Sequence, residues 1–447
     1  MKHHHAAPDG CPPQERLRAP DGRLNPGWRS TFGAAAALSV GASTTTVLCF
    51  GVFVPYLHRA FGWGFGAIAL AATLISIAVM VASPIQGMLV DRLGARRIIL
   101  VSIPLYGAGY AMLSQLSGDI RQFYLLWVLV PLLGFGVWPS GYIKVVSGWF
   151  EQRLGLAIGV ANVGIGVGAV LLPALIGATA AHFGWRAAYV VIGVLSVVVA
   201  WPCAWYFVHE RARPATQHDR AAGAAVAPGL TLAQAWLDAS FWKIALAFLL
   251  LGGCSTAVLV NQVAILVDNG SSIAVAVTLQ SVVGVATLVA RLAIGWLLDR
   301  VPVKLVMPVL ALCGAGAMLL YAGGASGLSA APCAVFIGVM VGAEFSVLGY
   351  ALRRYCGPRA LGSLFGSVFA VFQLGAAGGT AAIGYLRSET GSWSQALYGL
   401  AAATVVTAIL FGVLGCYRYA PLQGSATDDM ANHDGAGAGA LGAADSR

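Results

Sequence analysis

The chain has 447 residues, of which 58% are hydrophobic and only 10% are charged, and its formal net charge is +9. This composition excludes a soluble globular protein, because too few polar residues remain to cover the surface of one. The positive charge does not require a nucleic-acid partner, since Lys and Arg also collect in the cytoplasmic loops of membrane proteins.

Twelve apolar segments follow one another along the chain, each close to the roughly 20 residues that a helix needs to cross the hydrocarbon layer. Gly and Pro inside several of them are compatible with spanning helices, because neighbouring helices satisfy the freed backbone groups. We therefore predict an all-α membrane protein with twelve transmembrane helices in two pseudo-symmetric six-helix bundles. The predicted spans lie near residues 30–57, 66–90, 98–117, 123–148, 154–181, 186–208, 242–267, 273–298, 304–323, 331–353, 360–386 and 395–416.

Polar segments divide the chain into five parts. The predicted parts are a cytoplasmic N-terminal tail at 1–29, a first bundle at 30–209, a cytoplasmic linker at 210–240, a second bundle at 241–417 and a disordered tail at 418–447.

The tails and the linker carry few signals of their own. The first 29 residues are polar and Pro-rich, which does not match a cleavable signal peptide. We interpret the run His3-His4-His5 as part of a solvated tail and not as a metal site. In the linker, residues 230–238 have the apolar spacing of a helix that could lie along the membrane surface.

The distribution of positive charge predicts the orientation. With the N-terminus inside, twenty of the 26 Lys and Arg residues lie on the inner side, four lie on the outer side and two lie within spans. This asymmetry predicts a multi-pass protein of the cell inner membrane with both termini in the cytoplasm.

The chain lacks signals for redox, metal or nucleotide chemistry. Its eight cysteines are scattered, mostly within spans, and include no CxxC pair, so they are interpreted as packing residues. No Gly-Lys-Ser/Thr phosphate loop is present, which argues against ATP as the energy source. We predict no enzymatic activity, no cofactor, no metal site and a monomer in the lipid bilayer.

A charged loop between the second and third spans is repeated in the second half. The first copy runs from Gly87 to Arg97, and a weaker copy begins 208 residues later at Gly295. Glycine permits close helix approach and tight turns, while an aspartate can lie at a helix N-terminus or meet an arginine. We predict that these loops form a conformational latch that holds the two halves in one state. Its residues are Gly87, Asp91, Arg92, Gly94, Arg96, Arg97, Asp299 and Arg300.

These repeated loops resemble the signature of the major facilitator superfamily, and the likeness extends over roughly residues 30–416. Four further stretches resemble its monocarboxylate porter and oxalate/formate antiporter branch. The Gly-Pro pair of drug/proton antiporters is absent from the fifth span, where Ile165 follows Gly164. The resemblance implies transport of small organic anions by proton symport or by exchange. The stretches are 61–65, 149–159, 184–189 and 290–295.

Three charged residues lie deep within predicted spans, away from the span ends: Lys144, Arg291 and Glu344. At about 1.5 Å per residue, each lies about 10–14 Å from the cytoplasmic end of its helix. A charge at such a depth costs at least about 2.5–3.5 kcal/mol against lipid, so each should face the bundle interior or a water-filled cavity.

Arg291 is the leading candidate for substrate binding. Its guanidinium stays charged and offers a planar fork that fits a carboxylate with two parallel hydrogen bonds. It also matches the helix-eight arginine that the monocarboxylate family uses for anion binding. The alternative is a permanent ion pair with Glu344 that only neutralises both groups.

Glu344 is the candidate for proton coupling, because it is the acidic residue placed deep in a span. It could gain a proton and compete with the substrate for Arg291, or it could be a structural counter-ion. Proton-carrying members of the resembled family often have an acid four residues before the helix-eight arginine. Thr287 occupies that position here, so both proton symport and exchange stay open.

The remaining candidates are one cation and three neutral side chains. Lys144 could bind a second carboxylate, or it could extend its amine toward the cytoplasmic surface, the interpretation we favour slightly. Asn261, Gln262 and Tyr142 could donate hydrogen bonds to a substrate, although polar residues in spans often bond only between helices.

The sequence thus predicts a secondary carrier that moves a small carboxylate by alternating access, with protons as a second partner if transport is proton-coupled. An exporter of hydrophobic or cationic compounds, attracted by Glu344, is one alternative. A non-transporting receptor that kept the carrier fold is another.

Overall fold

The computed structural model describes residues 15–18, 22–211 and 228–419. Those residues are almost entirely helical, apart from turns and one isolated bridge between Arg18 and Leu24. Most of the predicted tails, including His3, His4 and His5, and the 212–227 part of the predicted linker lie outside the described residues.

Within the described residues, the first half contains nine helices and three short irregular helical segments. The irregular segments are π-helical at Ser43–Leu48 and Ser196–Ala200, and 3₁₀-helical at Phe135–Val137. The helices are α1 (Pro26–Ser39), α2 (Phe50–Phe61), α3 (Phe65–Leu93), α4 (Ala95–Leu113), α5 (Ile120–Leu133), α6 (Pro139–Ser147), α7 (Leu154–Phe183), α8 (Trp185–Leu195) and α9 (Trp201–Phe207).

The second half is more regular. A short helix lies within the stretch of the linker that was predicted to be helical, and a 3₁₀ segment at Gly327–Ala330 precedes the fourth long helix. The helices are α10 (Leu232–Trp236), α11 (Ala239–Asp268), α12 (Ile273–Leu298), α13 (Val303–Ala322), α14 (Ala331–Tyr355), α15 (Leu361–Thr390) and α16 (Ser394–Gly412).

The helices follow the predicted spans, although not all of them meet a strict criterion of length and hydropathy. Within the described residues, nine helices are long and apolar enough to cross a membrane, and the pair α1 and α2, bent by 46°, makes a tenth. The other two predicted spans correspond to α4 and to α5 with α6, which are separated at Phe135–Val137. The all-helical membrane fold is confirmed, while the count of twelve spans stays a prediction.

Each half packs on itself, and two helix pairs form the most extensive contacts between the halves: α3 packs against α15, and α7 packs against α12. Glycine allows both approaches. A Cβ atom at Gly87 would overlap the carbonyl oxygen of Gly362, and one at Gly155 would overlap that of Gly295. Gly87 and Gly295 belong to the repeated loops, and Gly362 and Gly155 are the residues that face them. The two interfaces therefore correspond to each other in the pseudo-symmetric halves.

Glycine also permits the sharp turn inside the first charged loop. Gly94 joins α3 to α4 with φ of +87°, a left-handed conformation that residues with a Cβ atom rarely adopt. The turn brings the basic start of α4 beside the end of α9, where the Arg96 guanidinium donates to the Trp205 carbonyl over 2.8 Å. The first loop is therefore fixed to its own half.

Candidate substrate-binding site

Arg291 lies in the middle of the structure on α12, where that helix packs against α7. Its backbone carbonyl faces Gly159, at which a Cβ atom would overlap it. The side chain is only 5% exposed, and its Nε and Nη1 atoms have no hydrogen-bond partner in the part of the chain that the structure describes. A buried guanidinium with unpaired donors is costly, because water no longer solvates it and no protein acceptor replaces the water.

Glu344 on α14 is the acidic neighbour of Arg291, but the two groups form no direct ion pair. The ion pairs within 4.0 Å among residues 15–18, 22–211 and 228–419 are Lys144–Asp91, Arg387–Asp268 and Arg418–Asp238. Glu344 is 5% exposed and its Oε1 atom has no partner. Among the described residues, no hydrogen bond or ion pair joins the Arg291 guanidinium to the Glu344 carboxyl, so its Nε and Nη1 donors stay available to a ligand.

Ser255 and Ser346 are polar neighbours that the sequence did not single out. Ser255 on α11 lies beside the Glu344 carboxyl without a well-formed hydrogen bond. Ser346 on α14 lies 3.5 Å from the Nδ2 atom of Asn162 on α7. The signal for both was weak, since serine is common in spanning helices and bonds within them.

The two adjacent amides on α11 differ in their surroundings. The Nδ2 atom of Asn261 donates to the Ala257 carbonyl of its own helix over 2.9 Å. Gln262 is fully buried, and both polar atoms of its side chain lack a partner. The structure thus favours Gln262 over Asn261 as a group that a ligand could satisfy.

The other two predicted binding residues are Tyr142 and Lys144. Tyr142 on α6 is fully buried, and its hydroxyl has no hydrogen-bond partner among the described residues. The Nζ atom of Lys144 lies 2.8 Å from the Asp91 carboxylate and also donates to the Val90 carbonyl over 2.8 Å. Lys144 therefore extends toward the charged loop, as in the second of the two interpretations of its sequence position.

Aromatic rings line part of the interface between the halves. Trp138, Phe345 and Phe369 border a narrow cleft that also includes Ser83 and Gln86. The Phe345 ring centroid lies 5.7 Å from that of Phe369, which in turn lies 6.2 Å from Trp138. These rings give the cleft between the halves a largely apolar lining.

The two predicted latch aspartates make equivalent contacts across the interface. Asp91 accepts hydrogen bonds from the backbone N–H groups of Gly362 (3.0 Å) and Ser363 (2.7 Å) and from the Ser363 hydroxyl (2.6 Å). Asp299 accepts from the N–H groups of Gly155 (2.6 Å) and Leu156 (2.9 Å). Each carboxylate therefore caps the first turn of a helix in the opposite half, α15 and α7 respectively, where the helix dipole favours negative charge.

The arginines of the loops lie around these contacts. Arg92 and Arg97 are exposed, and Arg300 lies over its neighbour Trp296 at 3.9 Å from the ring centroid. We call the end of the bundle that carries Asp91 and Asp299 the latch end. The halves are joined there in this structure.

Asp299 lies just beyond the end of α12. Burial raises its pKa from 3.8 to about 6, against the hydrogen bonds from Leu156 and Gly155 and the charge of Arg354, which lower it. Among the described residues, no group of three or more His, Cys, Asp or Glu side chains is placed to hold a metal ion.

The sequence profile of the Major Facilitator Superfamily matches residues 31–379. The chain belongs to the Major Facilitator Superfamily. Solved structures of this superfamily share its fold: the Escherichia coli fucose:proton symporter matches with a TM-score of 0.65 at 14% identity, over 86% of this chain and 96% of that one. The human organic anion transporter MFSD10 matches with a TM-score of 0.64 at 15% identity, over 90% and 100%.

Several relatives of this superfamily protein are named monocarboxylate transporters. Monocarboxylate transporter 11 of Homo sapiens is 26% identical over 414 residues, which cover 91% of this chain and 86% of that protein. Monocarboxylate transporter 13 of Rattus norvegicus is 27% identical over 392 residues, covering 85% and 86%. An uncharacterized 38 kDa protein of Thermoproteus tenax is 27% identical over 372 residues, covering 83% and 92%. The predicted resemblance to the superfamily is confirmed.

Proposed function

We propose that this superfamily transporter moves a small organic anion, a monocarboxylate, across the inner membrane by alternating access, with both termini in the cytoplasm. The observation that carries the proposal is the guanidinium of Arg291, which is buried between the halves with Nε and Nη1 unpartnered. A carboxylate bound to those donors would satisfy them and neutralise the charge. The names of the relatives support the same substrate class.

Other groups of the second half suggest how an anion would be held. Gln262 and Ser255 on α11 offer unpartnered polar atoms, while Phe345 and Phe369 offer apolar surface for the body of the substrate. Binding would remain modest without the positive charge, because an anion pays a large desolvation cost on entering a dry site. Arg291 is therefore the residue on which affinity depends most.

Access would alternate through the two interfaces that join the halves. The contacts of Asp91 with α15 and of Asp299 with α7 hold the latch end together, and both must break for the halves to separate there. In the proposed orientation the latch end faces the cytoplasm, so this structure corresponds to a state closed on that side. The protein would work as a monomer, since each chain contains both halves.

Glu344 would decide between proton symport and exchange. Its carboxyl lies within electrostatic range of Arg291 without pairing with it, so a bound anion would change the surroundings of both. A carboxylate that releases its proton when the substrate leaves would couple the two fluxes. In an exchanger, Glu344 would instead stay a fixed neighbour of Arg291.

Uptake of labelled monocarboxylates into proteoliposomes tests the proposal. Arg291→Ala should abolish saturable uptake, whereas Arg59→Ala, which removes an exposed arginine, should leave it intact. Uptake that survives in Arg291→Ala would remove Arg291 from the site. Uptake of cations or neutral apolar compounds instead would favour an exporter, in which the unpartnered Oε1 atom of Glu344 would attract the cation. Binding without uptake would favour a receptor.

A pH gradient separates symport from exchange. If Glu344 carries the proton, Glu344→Gln should lose gradient-driven accumulation but keep exchange of internal for external substrate. The control is Glu389→Gln, which changes an exposed glutamate. Accumulation that is equal in Glu344→Gln and wild type would exclude Glu344 as the proton site.

A further inference from the structure

Glu15, in the described part of the N-terminal segment, is a buried carboxylate at the latch end. It is 1% exposed and accepts hydrogen bonds from three consecutive backbone N–H groups: Glu151 (2.8 Å), Gln152 (3.0 Å) and Arg153 (2.9 Å). These residues form the turn that leads into α7. Consecutive N–H groups at the start of a helix form a favourable site for an anion, and here a side chain of the chain itself fills that site.

Glu15 is held from its own side as well. The indole N–H of Trp28 donates to the Glu15 carbonyl over 3.1 Å, and the Trp28 ring packs edge-on against Phe150 with 5.0 Å between centroids. The Leu17 carbonyl accepts from the N–H of Asn25 over 3.1 Å, which closes the segment into a loop. The carboxylate is therefore positioned by the fold and does not merely reach the turn from solvent.

The same turn receives two groups from the opposite half. The guanidinium of Arg354 donates to the carbonyl of Glu151, and the Asp299 carboxylate accepts from Gly155 and Leu156, immediately after the turn. Residues 151–156 thus contact Glu15 on one side and Arg354 with Asp299 on the other. When the halves separate at the latch end, the contacts with Arg354 and Asp299 must break, whereas the contact with Glu15 lies within one half.

We propose that the N-terminal segment regulates opening of the latch end: Glu15 holds the 151–156 turn in the conformation that receives Arg354 and Asp299. A segment that binds one conformation preferentially shifts the equilibrium toward it. A turn that is already ordered also loses less conformational entropy when the other half docks. Release of Glu15 would weaken the docking of both partners. The inference concerns the conformational equilibrium and does not depend on which substrate is carried.

Hydrogen exchange, followed by mass spectrometry on the full chain in lipid nanodiscs, can separate this role from a purely local one. Two sets of backbone amides report different events. The amides of residues 151–153 bind Glu15 directly, while those of Gly362 and Ser363 bind Asp91 at the other interface and do not contact Glu15. The variants are Glu15→Ala and the milder Glu15→Gln, which keeps an acceptor oxygen but loses the charge. Glu389→Ala, at an exposed glutamate, is the matched control.

In Glu15→Ala, exchange at 151–153 should become about tenfold faster, the change expected on losing roughly one net charge-assisted hydrogen bond. Exchange at Gly362 and Ser363 should rise about threefold or more, because the whole latch end opens more often. Glu15→Gln should give smaller changes in both sets, and Glu389→Ala should match wild type.

Faster exchange confined to 151–153, with Gly362 and Ser363 unchanged, would overturn the proposal and leave Glu15 as a local cap. Trp28→Phe supplies a second variant if Glu15→Ala does not fold. It keeps a ring against Phe150 but removes the donor to the Glu15 carbonyl. Trp28→Phe should make exchange faster at both sets of amides, as Glu15→Gln does. Unchanged exchange at both sets would also count against the proposal.

Discussion

Removing the Asp91 carboxylate should shift the protein toward a state that is open at the latch end. In the closed state this side chain accepts three hydrogen bonds from Gly362 and Ser363 and pairs with Lys144 at 2.8 Å, and it is only 12% exposed. Hydrogen bonds to a charged group contribute about 1.5–3 kcal/mol each, but contacts that share one side chain are not additive.

Most of that free energy belongs to the closed state alone, because the three hydrogen bonds from Gly362 and Ser363 cross between the halves and give way to water when the halves separate, whereas Lys144 lies in the same half as Asp91. Asp91→Ala should therefore cost the closed state about 3 kcal/mol, close to the lower value for breaking a buried charged contact. At about 1.4 kcal/mol per factor of ten, the closed-to-open ratio should fall by a little over 100-fold. Asp91→Asn should have a smaller effect, since its amide oxygen can still accept from one N–H group.

Spin labels on the two halves can measure the shift. Leu93 and Leu305 are exposed, at 51% and 57%, at the latch-end termini of α3 and α13. The native cysteines are replaced in all variants, so that only these two positions are labelled. In Asp91→Ala, the distribution of distances between the two labels should shift toward longer distances. Asp119→Asn, which alters an N-capping aspartate that accepts from Arg121 over 2.8 Å outside the latch, is the control. A distance distribution identical to wild type in a folded Asp91→Ala protein would refute the assignment of Asp91 to the latch.

Three further predictions follow from contacts at the same end. Burial raises the pKa of Asp299 from 3.8 to about 6 in the closed state, so that state binds its proton more tightly than an open, solvated state. The closed contact should therefore weaken as pH rises from about 4 through about 6. The distances between the spin labels should therefore be longer at pH 7 than at pH 5. In Asp299→Asn the distances should be the same at both pH values, and a pH dependence that persists in this variant would mean that another group titrates. Gly155→Ala would place a methyl group against the Gly295 carbonyl and should destabilise the interface by about 1–3 kcal/mol, lowering transport. At Gly284, by contrast, an added methyl group meets open space, so Gly284→Ala should neither destabilise the interface nor lower transport. Equal activity of the two variants would disprove close packing at Gly155. Lys144→Met should lower the maximal transport rate with little change in KM, because Lys144 contacts Asp91; a large rise in KM alone would place it in the substrate site.

The sequence predicted the family and the fold because both leave local signals. Apolar segments of spanning length and the repeated loops at Gly87 and Gly295 can be recognised without knowing which helices touch. The partners of those loops could not be predicted in the same way. Asp91 binds N–H groups of Gly362 and Ser363, more than 270 residues along the chain, and only the packing of α3 against α15 brings them together.

The candidate site shows the same limit at the level of side chains. Depth in the membrane indicated that Arg291 and Glu344 should be buried, and both are 5% exposed. Depth could not reveal that the two lack a direct ion pair, nor that Gln262 lacks partners while the adjacent Asn261 bonds to its own helix. Rotation about the helix axis decides such contacts, and neighbouring residues on one helix point about 100° apart.

Glu15 lay outside every segment that the sequence marked as informative. It belongs to a polar, Pro-rich stretch that reads as a solvated tail, and no spacing links it to the turn before α7. Its burial depends on the Trp28 indole and on three N–H groups far along the chain. A carboxylate captured by backbone groups leaves no pattern in the sequence, since the backbone is the same at every residue.

The central claim is that the Arg291 guanidinium binds the carboxylate of the substrate. The most direct measurement compares equilibrium binding of a transported monocarboxylate with that of its uncharged carboxamide, in wild type and in Arg291→Gln. Wild type should prefer the acid by about 10- to 100-fold, as expected for a charge-assisted pair of hydrogen bonds, and Arg291→Gln should lose that preference. An Arg291→Gln protein that still prefers the acid by the wild-type factor would contradict the claim.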